Sequence, residues 1–232
     1  MTTPGALPAY LQIAERLTRD IGAGRLTQGQ RLPPERAMAA DHDVSVTTLR
    51  KALAELVGRG LLDRRHGSGN YIKNGPQASG IYAFFRLELL KGGGLPTATV
   101  LDRAITPKPD DLPAIGTSTD ALRLRRLRAL SGMPVSVEEI WLDATHAPRL
   151  TGHLSDSLYL AYRQRLGLWV ARAEDRVGVA TPPDWAPDAL GLLAGATAGL
   201  VERISFDNTG AAVEFSQTWF NPDRARYVAR LS

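Results

Sequence analysis

Apolar residues recur at two different periods along this chain, and the change of period divides it. From Tyr10 the spacing is helical: Tyr10, Ile13, Leu17 and Ile21 fall on one face, which predicts a helix over residues 8–23 closed by Gly22 and Gly24. A short helix over 35–40 follows Pro33 and Pro34, proline being tolerated in a first turn. Asp41-His42-Asp43 breaks it. A third helix opens at Ser45, whose hydroxyl suits an N-cap, and carries Leu49, Ala52, Leu53 and Leu56 in one helical stripe. Gly58 and Gly60 end it. Residues 61–65 and 70–73 then read as two short strands joined by His66-Gly67-Ser68-Gly69, where glycine permits positive φ.

After Lys73 the run Asn74-Gly75-Pro76-Gln77-Ala78-Ser79-Gly80 neither continues a strand nor readily starts a helix. It is the expected linker between a first domain of residues 1–73 and a second of residues 81–232. Beyond it the pattern turns to strands mixed with short helices. Residues 81–90 read as helical, followed by a turn at Gly92-Gly93-Gly94. A strand is predicted over 97–106, a short helix within 107–115, and a hairpin of 121–130 with 135–142 around Ser131-Gly132-Met133-Pro134. Then come a helix over 158–166, an antiparallel strand over 169–180 and a helix over 184–193. A second hairpin pairs 200–207 with 212–220 around Asn208-Thr209-Gly210, and 227–231 forms a last edge strand. Strands joined mainly by hairpins imply an antiparallel sheet with helices on one face, an α+β domain.

The first domain, three helices and a glycine-tipped ribbon, outlines a winged helix-turn-helix. With the apolar stripe of its third helix turned inward, Val46, Thr47, Arg50 and Lys51 are left on the outer N-terminal side. Side chains at that end of a recognition helix reach base edges in the major groove, where arginine pairs bidentately with guanine. The bland alternative is an amphipathic helix with a solvated Arg-Lys face, and the wing argues against it. Charge agrees. Of 28 Lys+Arg and 24 Asp+Glu, eleven and seven lie up to Lys73, which leaves 17 of each beyond it. The net +4 therefore belongs to the first domain, as neutralising DNA phosphates requires. Cysteine is absent, so no disulfide or thiolate metal site exists. No apolar run approaches the ~20 residues of a membrane span, and Met1-Thr2-Thr3-Pro4 has no signal-peptide character. These features create the expectation of a cytoplasmic protein without a membrane partner.

A family resemblance rests on particular residues. Pro8 to Ile13, Ile21 to Leu26, Leu32-Pro33-Pro34-Glu35-Arg36, Val44 to Arg50, and Gly60-Leu61-Leu62 through Gly69 resemble the DNA-binding domain of GntR-type bacterial transcriptional regulators. The resemblance implies that Arg36, Thr47, Thr48 and Arg50 contact phosphates or bases of a double-stranded operator. It also implies that His66 and Gly67 enter the minor groove, with Arg65 flanking them on the wing. Pro34 stands where members usually carry a helix-capping serine, and Val46 where many carry a base-reading arginine.

The second domain resembles the effector domain of the HutC subfamily, a chorismate-lyase-like fold. The resemblance is carried by Arg126-Leu127-Arg128, Gly132-Met133-Pro134, Glu138, Ser157-Leu158-Tyr159, and Gly210 through Glu214 to Phe220. Arg126 and Arg128 are two apart on one strand and so share a face; together they can clamp a phosphate or carboxylate. Arg123 and Arg125 take the other face, where solvated arginines are expected. The resemblance implies that Arg126, Arg128, Ser157 and Tyr159 line the anionic part of a ligand site, and that Glu138 and Glu214 hold its polar groups. Phe84-Phe85-Arg86 departs from members that recognise amino-sugar phosphates, which carry a small hydroxyl residue near Phe85.

The expected protein is a ligand-responsive repressor: a homodimer released from an inverted-repeat operator by a small anionic metabolite, without a cofactor or metal. The alternative is an enzyme of chorismate-lyase-like fold with an appended DNA-binding domain, using Glu138, Glu214 and the arginines as acid–base groups. Nothing in the chain strengthens it. His146 and His153 lack a His-Glu-x-x-His pattern, Gly67-Ser68-Gly69 is too short for a dinucleotide fingerprint, and neither a nucleophile elbow nor a P-loop is present. Trp141, Trp169, Trp185 and Trp219 are expected as core or pocket wall.

Overall fold

The computed structural model describes residues 7–22, 25–65, 67–73, 84–147, 150, 152, 154–193 and 195–229. They form two compact units, one of residues 7–86 with 91–95, the other of residues 87–90 with 96 onward. The expected linker, residues 74–80, lies outside the described residues.

In the first unit, helix α1 (Ala9–Gly22) packs on α3 (Val46–Gly58) with α2 (Glu35–Asp41) beside them. Leu49, Ala52, Leu53 and Leu56 of α3 are buried against Ile13, Ala14 and Leu17 of α1 and Met38 and Ala39 of α2. Ser45 caps α3, its hydroxyl accepting from the Thr48 amide at 3.1 Å. At the other end Gly60 takes φ +72° while the Leu61 amide donates to the Leu56 carbonyl, a glycine stop for a helix. Pro34 precedes α2 with no side-chain cap. The ribbon β1 (Leu62–Arg65) and β2 (Gly69–Ile72) is antiparallel, Arg65 opposite Gly69. Gln30 and Leu32 hydrogen-bond to its outer edge and Arg31 bridges to Tyr71. The wing is thereby fixed to the segment that leads into α2.

The second unit is built on one six-stranded antiparallel sheet. Its strands are β4 (Pro96–Pro107), β5 (Asp120–Leu130), β6 (Met133–Asp143), β7 (Val170–Ala180), β8 (Ala198–Asp207) and β9 (Ala212–Phe220), in the order β4-β5-β6-β9-β8-β7. Register places Arg126 opposite Glu138, Leu142 opposite Glu214, and Glu214 opposite Ser205. All of these side chains share a face. A short helix α4 (Leu158–Ala161), N-capped by Ser157, runs into one π turn at Tyr162–Leu166 that ends at Gly167 with φ +66°. Asp143 closes the β6 end. Burial raises its pKa, but donation from Lys108, Thr145 and Ser118 outweighs this and holds the carboxyl below its usual range.

Four sequence expectations are corrected. Residues 87–89 form strand β3 (Leu87–Leu89), not a helix, and pair with β10 (Ala225–Tyr227) in a separate two-stranded sheet. The last strand thus lies earlier than 227–231 and is not an edge of the main sheet. Residues 108–115 hold turns but no helix, and within 184–193 only Asp188–Leu190 makes a 3-10 turn. Prolines 107, 109 and 113, and 182, 183 and 187, remove the amides that helices there would need.

Because the Ser45 hydroxyl is the one side-chain cap on α3, Ser45→Ala should cost about 1 kcal/mol of stability and Ser45→Gly only a few tenths. Urea unfolding of both variants checks this. Equal midpoints for Ser45→Ala and the unchanged chain would show that the cap holds nothing.

Candidate functional site

Each unit presents a group of polar side chains gathered by the fold. In the first unit Thr47 and Arg50 are exposed along the start of α3, and Arg36 is exposed on α2. Thr48 is half-buried, its hydroxyl 2.9 Å from that of Ser45. That contact joins it to the cap of α3. Arg65 is exposed, stacked 4.4 Å over the Tyr71 ring and bonded to Asp63 at 3.1 Å. Gly67 at the wing tip adopts φ +71°, open to glycine and strained for other residues. His66 lies outside the described residues. Val46, read as an outer residue, packs partly against the core.

Sequence reasoning missed the residue that ties this face together. Glu35, in the first turn of α2, accepts from Arg50 Nε at 2.7 Å and from Arg64 Nη2 at 2.8 Å. Arg50's hydrogen bond, with Arg64 and Asn70 adding to it against the cost of burial, holds the Glu35 carboxyl below its usual range. The groove between wing and α2, about 460 Å³, is lined by Arg31, Glu35, Arg64, Arg65, Gly67 and Asn70 among others. The three residues are 15 and 29 positions apart, so local patterning carried no signal of their meeting.

In the second unit the sequence set separates into two linked clusters. Arg126 and Arg128 are only 3% and 2% exposed. Arg126 Nη2 stands 2.5 Å from Glu138 Oε1 and Arg128 Nη1 3.6 Å from it. The contact is a close ion pair without hydrogen-bond alignment, and Arg126 Nε and Nη1 are buried with no acceptor among the described residues. Arg128 Nη1 donates to the Asp156 carbonyl at 2.8 Å. The next residue, Ser157, caps α4, and α4 with the π turn that follows it carries the tyrosines of the second cluster.

There Glu214, 1% exposed, accepts from Tyr162 at 2.6 Å and from Tyr159 and Ser205 at 3.0 Å each. Burial raises the Glu214 pKa, and the three hydroxyls oppose the rise without cancelling it. Burial beside Glu214 raises both tyrosines as well. Arg203 adjoins them, bidentate to Asp175 at 2.6 Å twice, with Tyr227 donating to the same carboxylate at 2.6 Å. Tyr162, Ser205, Arg203, Asp175 and Tyr227 were not found from sequence. The period-2 placement of Arg203 and Ser205 on one strand was the available signal. Arg123 and Arg125, expected as solvated, instead pair with Asp102 and Glu139 at 2.7 Å each, and Arg125 lies 4.9 Å over Trp185.

Chemically, the first cluster offers guanidinium donors in a water-poor setting and the second offers hydroxyls and a carboxyl. Among the described residues no group of three His, Asp or Glu is placed to hold a metal, and no helix is long and apolar enough to cross a membrane.

Comparison with known proteins agrees with both halves. The family model "Bacterial regulatory proteins, gntR family" matches residues 9–72, and that of the UTRA domain residues 91–226. The chain is 54% identical over 230 residues to the HTH-type transcriptional regulator SmoD of Agrobacterium fabrum, covering 99% of this chain and 98% of that one. It is 26% identical to the HTH-type transcriptional repressor NagR of Bacillus subtilis, covering 97% of each. Among solved structures, PhnF from Mycobacterium smegmatis superposes with a TM-score of 0.53 at 25% identity, over 94% of this chain and 99% of that one.

Removing one partner of the Arg126–Glu138 pair strands a buried charge. Arg126→Ala should therefore cost about 3–5 kcal/mol of stability, while Arg126→Met combined with Glu138→Leu should recover most of it. A urea double-mutant cycle measures the difference. Simple additivity of the two substitutions would mean that the charges do not depend on one another.

Proposed function

We propose that this chain, which belongs to the GntR family of bacterial regulatory proteins and carries a UTRA domain of the HutC type, represses transcription from an inverted-repeat operator as a homodimer and is released by a small anionic metabolite. The chain is a DNA-binding transcriptional regulator and not an enzyme. Operator contact is assigned to Arg36, Thr47, Thr48, Arg50 and the wing residues Arg65, His66 and Gly67. The effector is assigned to Arg126, Arg128, Glu138, Ser157, Tyr159 and Glu214, and residues 74–80 to the joint between domains 1–73 and 81–232.

The exposed threonine and arginine at the start of α3 support the DNA half, since that end of a recognition helix faces the major groove. One winged domain covers too little DNA for strong discrimination, and two-fold protein symmetry matches a palindromic site. The repressor sense is supported by the likeness to NagR, named a repressor.

The observation that carries the effector half is Arg126, buried with Nε and Nη1 donating to no acceptor among the described residues. A buried guanidinium left this way is costly, and a phosphate or carboxylate supplies the acceptors it lacks. The hydroxyls and carboxyl around Glu214 fit a ligand that also carries hydroxyl groups. Ligand and operator then act on one equilibrium, with a coupling of about 1–3 kcal/mol and equal effects in both directions.

Footprinting on an operator selected by the protein itself tests this reading. The full chain should protect both halves of an inverted repeat and lose that protection when the acidic metabolite fraction of a cell extract is added. Arg128→Ala should protect the same sequence and no longer respond. Protection of a single half would contradict the dimer. Loss of operator binding by a folded Arg128→Ala would move the arginines to the DNA surface.

A further inference from the structure

The contact among Glu35, Arg50 and Arg64 serves neither the core nor a helix cap. It lies on the outer side of the first unit, with Arg50 and Arg64 side chains 61% and 54% exposed. It joins the recognition helix α3 to wing strand β1 through a carboxylate on α2. An acidic side chain on a surface that must meet phosphates is costly for binding, and a regulator has no need of it for stability, since exposed ion pairs contribute little.

We propose that Glu35 is a positioning residue for operator recognition, holding Arg50 and Arg64 so that the protein discriminates its operator from other DNA. The inference rests on the reading of Arg50 as a base-contacting residue. A guanidinium has two faces for recognition, the Nε edge and the paired Nη1 and Nη2 end. Glu35 takes the Nε of Arg50 and leaves the outward end, whose two parallel N–H groups match guanine O6 and N7. Its other oxygen takes Nη2 of Arg64, and so couples the wing to the same anchor. Asn70, opposite Arg64 in the ribbon, also stabilises the carboxylate.

The second effect is electrostatic. On random sequence the arginines gain only phosphate contacts, which must compete with a carboxylate that already holds them and that phosphate repels. On the operator a correctly placed Arg50 gains base contacts as well. Glu35 thus penalises non-specific binding more than specific binding, which is how a repulsive element raises specificity.

Glu35→Gln tests the proposal against Asp63→Asn, which removes an equal charge from the wing. Affinity is measured for full-length protein on a selected operator and on random duplex, across a salt series. For Glu35→Gln the operator-to-random ratio should fall about tenfold or more, chiefly through tighter binding to random DNA. Its salt slope on random DNA should steepen by about 1–2. Asp63→Asn should strengthen both DNAs alike and keep the ratio. Glu35→Asp keeps the charge in the first turn of α2 but shortens its reach, and should also lower the ratio if Glu35→Gln proves unstable. An unchanged ratio in folded Glu35→Gln and Glu35→Asp overturns the proposal. If Arg50→Ala lowers the ratio while these two do not, only the role of Glu35 falls. If Arg50→Ala leaves the ratio unchanged, the base-contact reading falls with it.

Discussion

Arginine charge, and what is placed opposite it, governs both halves of this protein. In the sheet domain two guanidiniums are nearly removed from water and face the Glu138 carboxylate. Desolvating an ion costs several kcal/mol after relaxation, so the arrangement persists only because the surrounding strands over-determine it. Arg126 and Glu138 sit opposite one another on adjacent central strands. Arg128 is held at the Asp156 carbonyl just before the cap of α4. On the proposed reading, an anion arriving there would meet donors already fixed in place, the ordering entropy that flexible surface arginines lose having been met by the fold.

The winged domain treats arginine in the opposite way. Arg50 and Arg64 remain in solvent and share one carboxylate, so little energy is stored and much geometry is set. Buried charge suits selective capture of a small ligand; exposed, oriented charge suits a polyanion approached at diffusion-controlled rates. α4 connects the two polar clusters of the sheet domain, because Ser157 caps it beside Arg128's acceptor while Tyr159 and Tyr162 reach Glu214. A ligand touching both clusters acts on one short helix.

Much of the fold was legible in local pattern. The first and third helices followed from the stripe Tyr10, Ile13, Leu17 and from Leu49 to Leu56, the second from Pro33-Pro34 and the break at Asp41-His42-Asp43, and Ser45 was recognised as a cap. Both central hairpins followed from alternation around glycine-containing turns, and the shared face of Arg126 and Arg128 from the strand period alone. What escaped depended on distant partners. β3 is three residues long and exists through pairing with β10, which nothing near 87–89 reveals. The expected helices at 107–115 and 184–193 left out of account the prolines that those segments carry. The site was half legible for the same reason. Ser205 and Tyr162 reach Glu214 through sheet register and a π turn, and Glu35 reaches Arg50 across a turn between helices.

The most direct test of the central claim is the thermal unfolding midpoint of the chain and of Arg128→Ala across a panel of phosphorylated and carboxylated sugars, each beside its uncharged parent. A ligand held by the buried guanidiniums should raise the midpoint of the unchanged chain in proportion to its binding, fail to do so without its acidic group, and leave Arg128→Ala unmoved. An uncharged parent that stabilises both proteins as well as its acid does would contradict the account.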